Sequence, residues 1–367
     1  MERFEKHIFE RLEESWDFLK NTALPIFIYG MGDGCLKLLR EFRARGIAEA
    51  GIFASDEFVR GHSFAGHKVH TLAEVEEQVD EFVVVIAFAA GYPALMEKIE
   101  RIAARHKLLF PDTAVIGGGA FTKQMLLDNW DQASRVYELL ADAQSRAVFE
   151  QVIRFKITGD ISFLKSVFTM PAEAYERILH PAEEEAYCDL GAYNGDTVRE
   201  FLEFTGGAYA SVTAFEPNGR NFRKLTEAFS EKAGIALYNC AAWDSDTTLE
   251  FAKGSGRQAK LADVGADGIM TNLKTVPVQA LRLDTTLAGA RATYIKYDVE
   301  GAEREALAGS AQTIARHKPK LCCAVYHRPE DLFELPLLVH GMNPAYKLYL
   351  RQYPYYPAWE TNLFAAE

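Results

Sequence analysis

The chain contains no CxxC pair, and its five cysteines, Cys35, Cys188, Cys240, Cys322 and Cys323, fall mostly inside apolar runs. That argues against a thiolate zinc cluster and a disulfide framework; the five read as small buried hydrophobes in a reducing compartment. A membrane-length apolar run is missing too. The longest, "FVVVIAFAAGYPALM", is short and broken by glycine. Positive charge is in deficit, with 40 lysines and arginines against 52 acids and a net charge of −12. Neither nucleic acid nor an anionic membrane is therefore the expected partner; small molecules and neutral glycans remain. The first residues, "MERFEKHIFERLEESWDFL", are charged and amphipathic, unlike a secretory signal. A cytoplasmic protein is expected.

What is present is enough apolar material for two cores: 49% hydrophobic residues in a chain of 367. A helix over roughly residues 1–20 precedes "LPIFIYGMGDGCLKLLREFRARG", which reads as strand, glycine turn and helix. "AGIFASD" and "EFVVVIAFAAG" look like further buried parallel strands. The triple glycine at 117–119 marks a boundary, giving a first domain over 1–119. Residues 120–180 show helical spacing with little strand signal and form a connector. From 181 to 367 the strand–helix rhythm returns, ending in "YKLYLRQYPYYPAWETNLFAAE", a hairpin with an aromatic tip. The sheet is thus expected to be parallel with an antiparallel end.

In "YCDLGAYNGDTV", Gly191 and Gly195 flank Asn194 where a strand turns into a helix. Glycines let the backbone approach a ligand, and the helix start offers free N–H groups and partial positive charge. Asp189 ends this strand, Glu216 ends the next in "AFEPN", and Asp298 ends a later one in "IKYDVEG". Acids at the carboxyl ends of three parallel strands converge on one crevice, and an acid in the position of Glu216 suits ribose hydroxyls.

Taken in order, "DLGAYNGDTV", "AFEPNGRNFRKL", "CAAWDSDTTLEF", "IKYDVEGAEREAL" and "VYHRPEDL" resemble the motifs of FkbM-type S-adenosylmethionine-dependent methyltransferases over about 187–367. The resemblance implies the class I methyltransferase fold: a seven-stranded sheet, last strand antiparallel, helices on both faces, here preceded by a smaller Rossmann-like α/β domain. It implies that Asp189, Gly191, Asn194 and Gly195 hold the methionine part of the cofactor and Glu216 the ribose. Cys240 and Ala241 would border the adenine, and Asp298 would face the sulfonium. Tyr297 departs from the family, standing where an aliphatic residue is usual.

Methyl transfer to oxygen requires removal of a proton, and the base candidates are His327, Asp298 and Glu300. His327 follows the strand-like "LCCAV" and titrates near neutrality, so it leads; alternatively it orders the "HRPEDL" turn. Glu300 and Glu303 equally suit a helix start. Tyr353, Tyr355, Tyr356 and Trp359 offer an aromatic wall for a sugar ring, or hairpin packing. The expected function is methylation of a sugar hydroxyl on a glycan or nucleotide sugar.

In the first domain, "GMGDGC" partly matches a dinucleotide fingerprint, with Cys35 in the place of its third glycine and Asp56 at the second strand's end. The domain reads as nucleotide-binding, or as a scaffold for substrate docking or for a homodimer. The rival functions are a nicotinamide-dependent sugar-nucleotide oxidoreductase and a non-catalytic binding protein. His62, His67 and His70 share a loop without a cysteine or paired carboxylate motif, and no metal is assigned.

Overall fold

The computed structural model describes residues 4–59, 61, 63–116, 119–252 and 275–367, so His62 and two glycines of the 117–119 boundary lie outside the described residues. In the first α/β unit, four-residue apolar stretches with every side chain buried form the central strands Ile26–Tyr29 and Val83–Ile86. Such runs suit a parallel sheet covered on both faces. The sheet has six strands in the order Ser63–Phe64, His67–His70, Gly51–Phe53, Ile26–Tyr29, Val83–Ile86, Lys107–Leu109. All its pairings are parallel except that between the two strands at the 63–70 end.

The single opening helix expected over 1–20 is instead two, Lys6–Glu10 and Ser15–Asn21. The break has a distant cause. Lys123 donates through its side chain to the carbonyls of Glu10 and Leu12, and through its backbone N–H to Glu14 Oε1. Those carbonyls serve a tertiary contact rather than another helical turn.

Residues 123–179 are largely helical, with the longest helix at Ala143–Thr158. This stretch packs on the second unit: Asp142 pairs with buried Arg351 at 2.7 Å, and Ser145 Oγ accepts the N–H of Leu350 at 2.9 Å.

The second unit holds a seven-stranded sheet in the order Lys347–Gln352, Thr361–Ala366, Lys320–Ala324, Tyr294–Tyr297, Ala186–Leu190, Ser211–Phe215, Ile235–Tyr238. Thr361–Ala366, last in the chain, is antiparallel to both its neighbours and lies between them, one place in from the edge. Tyr297 is fully buried in the middle of this sheet, so the family departure leaves the strand interior. A small third sheet joins Ala241–Ala242, Thr275–Leu281 and Thr247–Ala252. Among the described residues, no helix is long and apolar enough to cross a membrane.

The two units are bolted together by the tip of the final hairpin. Tyr356 exchanges backbone hydrogen bonds with Ala90 at 2.6 and 2.9 Å, and its hydroxyl donates to Glu100 Oε1 at 3.1 Å. This contact brings the strand ends of both sheets around a common cavity.

Candidate active site

Strand Ala186–Leu190 ends in a turn whose backbone takes positive φ at Gly191 (102°), Tyr193 (46°) and Gly195 (84°), before helix Asp196–Phe204. Gly191 is required by its neighbour as much as by any ligand. A Cβ there would overlap the carbonyl oxygen of Asp298. Tyr193 lacks glycine's freedom, and its conformation is held from outside. Its N–H donates to Glu216 Oε2 at 2.9 Å, while Glu216 Oε1 accepts the N–H of Asn218 at 2.7 Å. Glu216 therefore braces the turn across to the second strand. Burial nevertheless raises its carboxyl to about 7, against the pull of those two N–H groups.

Behind the turn, Asp189 is completely buried. Its Oδ2 accepts from the hydroxyl of Thr197, and its Oδ1 has no hydrogen-bond partner. Burial lifts this carboxyl to about 6, with Lys296 opposing. Lys296 comes from the adjacent strand, two residues before Asp298 and so on the same side of it. Its Nζ lies 2.9 Å from Asp298 Oδ2. Burial works against this ammonium, but Asp298 and Asp189 hold its pKa above the ordinary lysine value. For Asp298, burial is outweighed by Lys296 and His327, which bring the carboxyl down to about 2.

The turn after Asp298 is tight, with Glu300 at φ 55° and Gly301 at φ 91°. It is gripped from three sides. Glu303 Oε1 accepts the N–H groups of Val299 and Gly301 at 2.9 and 3.3 Å. Arg328 Nε donates to the Gly301 carbonyl at 2.9 Å. Ile116, which leads out of the first unit, sits so close that a side chain at Gly301 would overlap it.

His327 is where the sequence reading needs correction. It stands beyond strand Lys320–Ala324 and lines the cavity as expected, but it is only 3% exposed and does not titrate near neutrality. Burial disfavours its charge, yet Glu303, Asp298 and Glu300 outweigh burial and raise it to about 9. The three carboxylate oxygens lie 3.0 Å from Nδ1 (Glu303) and 3.7 and 3.8 Å from Nε2 (Asp298 and Glu300).

Of the residues singled out from sequence, Gly191, Glu216, Cys240, Ala241, Asp298, Glu300 and His327 line one cavity of about 700 Å³. Asp189, Asn194 and Gly195 stand behind or beside its wall and shape the turn. The aromatic hairpin divides: Tyr353 and Trp359 reach the cavity, while Tyr356 is fully buried between the units and Tyr355 packs over Gly91. Lys296 and Glu200 were missed; the lysine was readable as a cation in an otherwise apolar strand, on the face of Asp298.

The opposite wall belongs to the first unit, through Met31, Asp33, Lys37, Phe88 and residues 110–115. Its glycine turn thus opens on the same space as Asp298. Gly34 is the glycine packed tightly on a strand end, since a Cβ there would overlap the Ala87 carbonyl; Cys35 beside it is core. Asp56, the acid a nicotinamide ribose would need, is exposed and outside this cavity. His67 and His70 pair with Glu49 and Glu74 at 3.1 and 3.6 Å. All five cysteines are buried and unpaired.

Residues 189–355 match the model of the methyltransferase FkbM domain. Over 98% of this chain and 92% of the other, the structure is similar to that of a methyltransferase FkbM from Methylobacillus flagellatus, at 19% identity and a TM-score of 0.71. That likeness shows the fold, and it spans both units. Fibrillarin from Aeropyrum pernix shares 13% identity over 53% of this chain and 73% of its own, with a TM-score of 0.33. An rRNA methylase from Streptococcus thermophilus shares 13% over 50% and 85%, with a TM-score of 0.32. No curated protein matches the chain. With the strand order, the glycine turn and the family match in agreement, residues 189–355 form a methyltransferase FkbM domain, and the chain is an S-adenosylmethionine-dependent methyltransferase.

Proposed function

We propose that this methyltransferase acts on a hydroxyl group of a sugar, in a glycan or a nucleotide sugar, held in the cavity between the two units. The observation that carries the reading is His327, an imidazole in a carboxylate cluster on the same cavity as the glycine turn.

The residues present fit the cofactor. Asp189, Glu200 and Asp298 surround Lys296 with an excess of negative charge, and Asp189 keeps a buried oxygen without a partner. S-adenosylmethionine has one carboxylate against an ammonium and a sulfonium, and when bound it supplies an electrophilic methyl group. Gly191, Asn194, Gly195 and the following helix start would take its carboxylate, and Asp189 its ammonium. Glu216 would take the ribose with the lone pairs left over from Tyr193 and Asn218, while Cys240 and Ala241 would flank the adenine.

His327 Nε2 then accepts the proton of the acceptor hydroxyl, with Asp298 and Glu300 stabilising the imidazolium that results. At neutral pH the ligand-free site holds this ring protonated, because its pKa is raised to about 9. Any cation bound beside Asp298 competes for the same carboxylates and frees the ring at lower pH. Tyr353 and Trp359, with Phe88 of the first unit on the same cavity, supply aromatic surface for an apolar sugar face, and the carboxylates supply acceptors for its hydroxyls.

The test is incubation of the enzyme and S-adenosylmethionine with a panel of nucleotide sugars and oligosaccharides, products being read by mass spectrometry. A methyl ether on a sugar is the expected product. Methylation of phenolic or amine acceptors with every sugar untouched would overturn the sugar reading.

A further inference from the structure

The candidate catalytic residues share one buried neighbour. Glu303 is 1% exposed, and a single oxygen, Oε1, meets the N–H groups of Val299 and Gly301 and the Nδ1 of His327. Nδ1 makes no well-aligned hydrogen bond there, but a lone pair on it would face a carboxylate oxygen at 3.0 Å, so the favoured state of the ring puts the hydrogen on Nδ1. The other ring nitrogen lies 3.7 Å or more from Asp298 and Glu300, beyond hydrogen-bond length, and faces the cavity. The same carboxylate closes the turn in which Glu300, a non-glycine residue, takes a left-handed backbone. Around the ring stand Glu303, Asp298, Glu300 and Asp331, with the Tyr326 ring at 4.3 Å.

We propose that Glu303 is the positioning residue of the methyl-transfer centre: it fixes His327 as the Nδ1–H tautomer, leaves Nε2 to the acceptor, and sets the turn bearing Asp298 and Glu300. The inference rests on the reading of His327 as the base, and deepens it. Glu303 acts through His327 and touches no reactant. Without it the imidazole could turn either nitrogen to the cavity, and only one of the two states could take a proton from a substrate there.

The experiment is nitrogen NMR of the full chain with labelled histidine, titrated through the His327 transition. In the wild-type protein, the neutral ring should carry its hydrogen on Nδ1. Glu303→Gln removes the charge, and the titration midpoint should fall by more than one pH unit, with Glu303→Asp restoring part of it. A wild-type neutral ring protonated on Nε2 overturns the proposal, and that measurement requires no variant to fold. So does an unchanged midpoint in Glu303→Gln. The ligand atoms of Asp298, Glu303 and His327 lie within 4.8 Å of one another, so magnesium and zinc are added in turn. Direct coordination of the His327 ring by either ion would also overturn the assignment. Normal turnover by His327→Ala with the expected tautomer intact would instead sink the base reading and leave the geometry standing.

Discussion

Replacing Glu216 with glutamine keeps the shape of the side chain and changes only its charge and one acceptor. In the native turn both carboxylate oxygens accept backbone N–H groups, from Asn218 at 2.7 Å and Tyr193 at 2.9 Å. An amide can serve one of them; its NH₂ group then opposes the other donor, which costs roughly 1–3 kcal/mol of stability when buried. Binding suffers separately, because hydrogen bonds from the ribose lose their ionised acceptor, at a further ~1–3 kcal/mol, or about 5- to 150-fold in Kd. Calorimetry separates the two effects by comparing S-adenosylhomocysteine with methionine, which has no ribose. The nucleoside ligand should weaken and methionine should hold. Wild-type affinity should also fall as pH drops below about 7, where Glu216 takes up a proton, and that slope should vanish in the variant. Equal weakening of both ligands would refute the ribose role and leave Glu216 as a brace for Tyr193.

His327→Ala should keep S-adenosylhomocysteine affinity within about twofold while turnover falls 10²–10⁴-fold, the usual contribution of a general base. In the ligand-free protein, the raised pKa of His327 gives stability that is complete below about 6.5 and lost as pH rises to about 9, so denaturation midpoints should decline across that window and the alanine variant should lose the slope. Gly191→Val should abolish cofactor binding and also lower the melting temperature, since its side chain would meet the Asp298 carbonyl; a stable variant that binds normally would contradict the packing. Lys296→Met takes the buried ammonium away from Asp298 and Asp189 and should cost roughly 3–5 kcal/mol in urea unfolding, with part regained in acid.

The architecture of the second unit was legible because its central strands are mostly apolar runs and the acids Asp189, Glu216 and Asp298 stand at or just past their carboxyl ends. The glycine turn was legible for a simpler reason: three positive φ angles in five residues demand small or braced residues. Other features depend on partners far away in the chain. The opening helix breaks because Lys123 claims its carbonyls. Tyr356 leaves the aromatic wall because Ala90 pairs with its backbone. His327 could be placed on the rim from "LCCAV", but not its pKa, which follows from a turn that folds Glu303 back beneath it. Nor does any local pattern announce that the strand ends of two separate sheets share one cavity; that depends on how the hairpin docks.

The most direct test of the central claim is a crystal structure of the chain soaked with S-adenosylhomocysteine. The account requires the ligand against the 191–195 turn, its ribose on Glu216, its adenine beside Cys240 and Ala241, and its sulfur facing Asp298 and His327. Ligand bound instead at the 30–34 turn of the first unit, with the second turn empty, would contradict it.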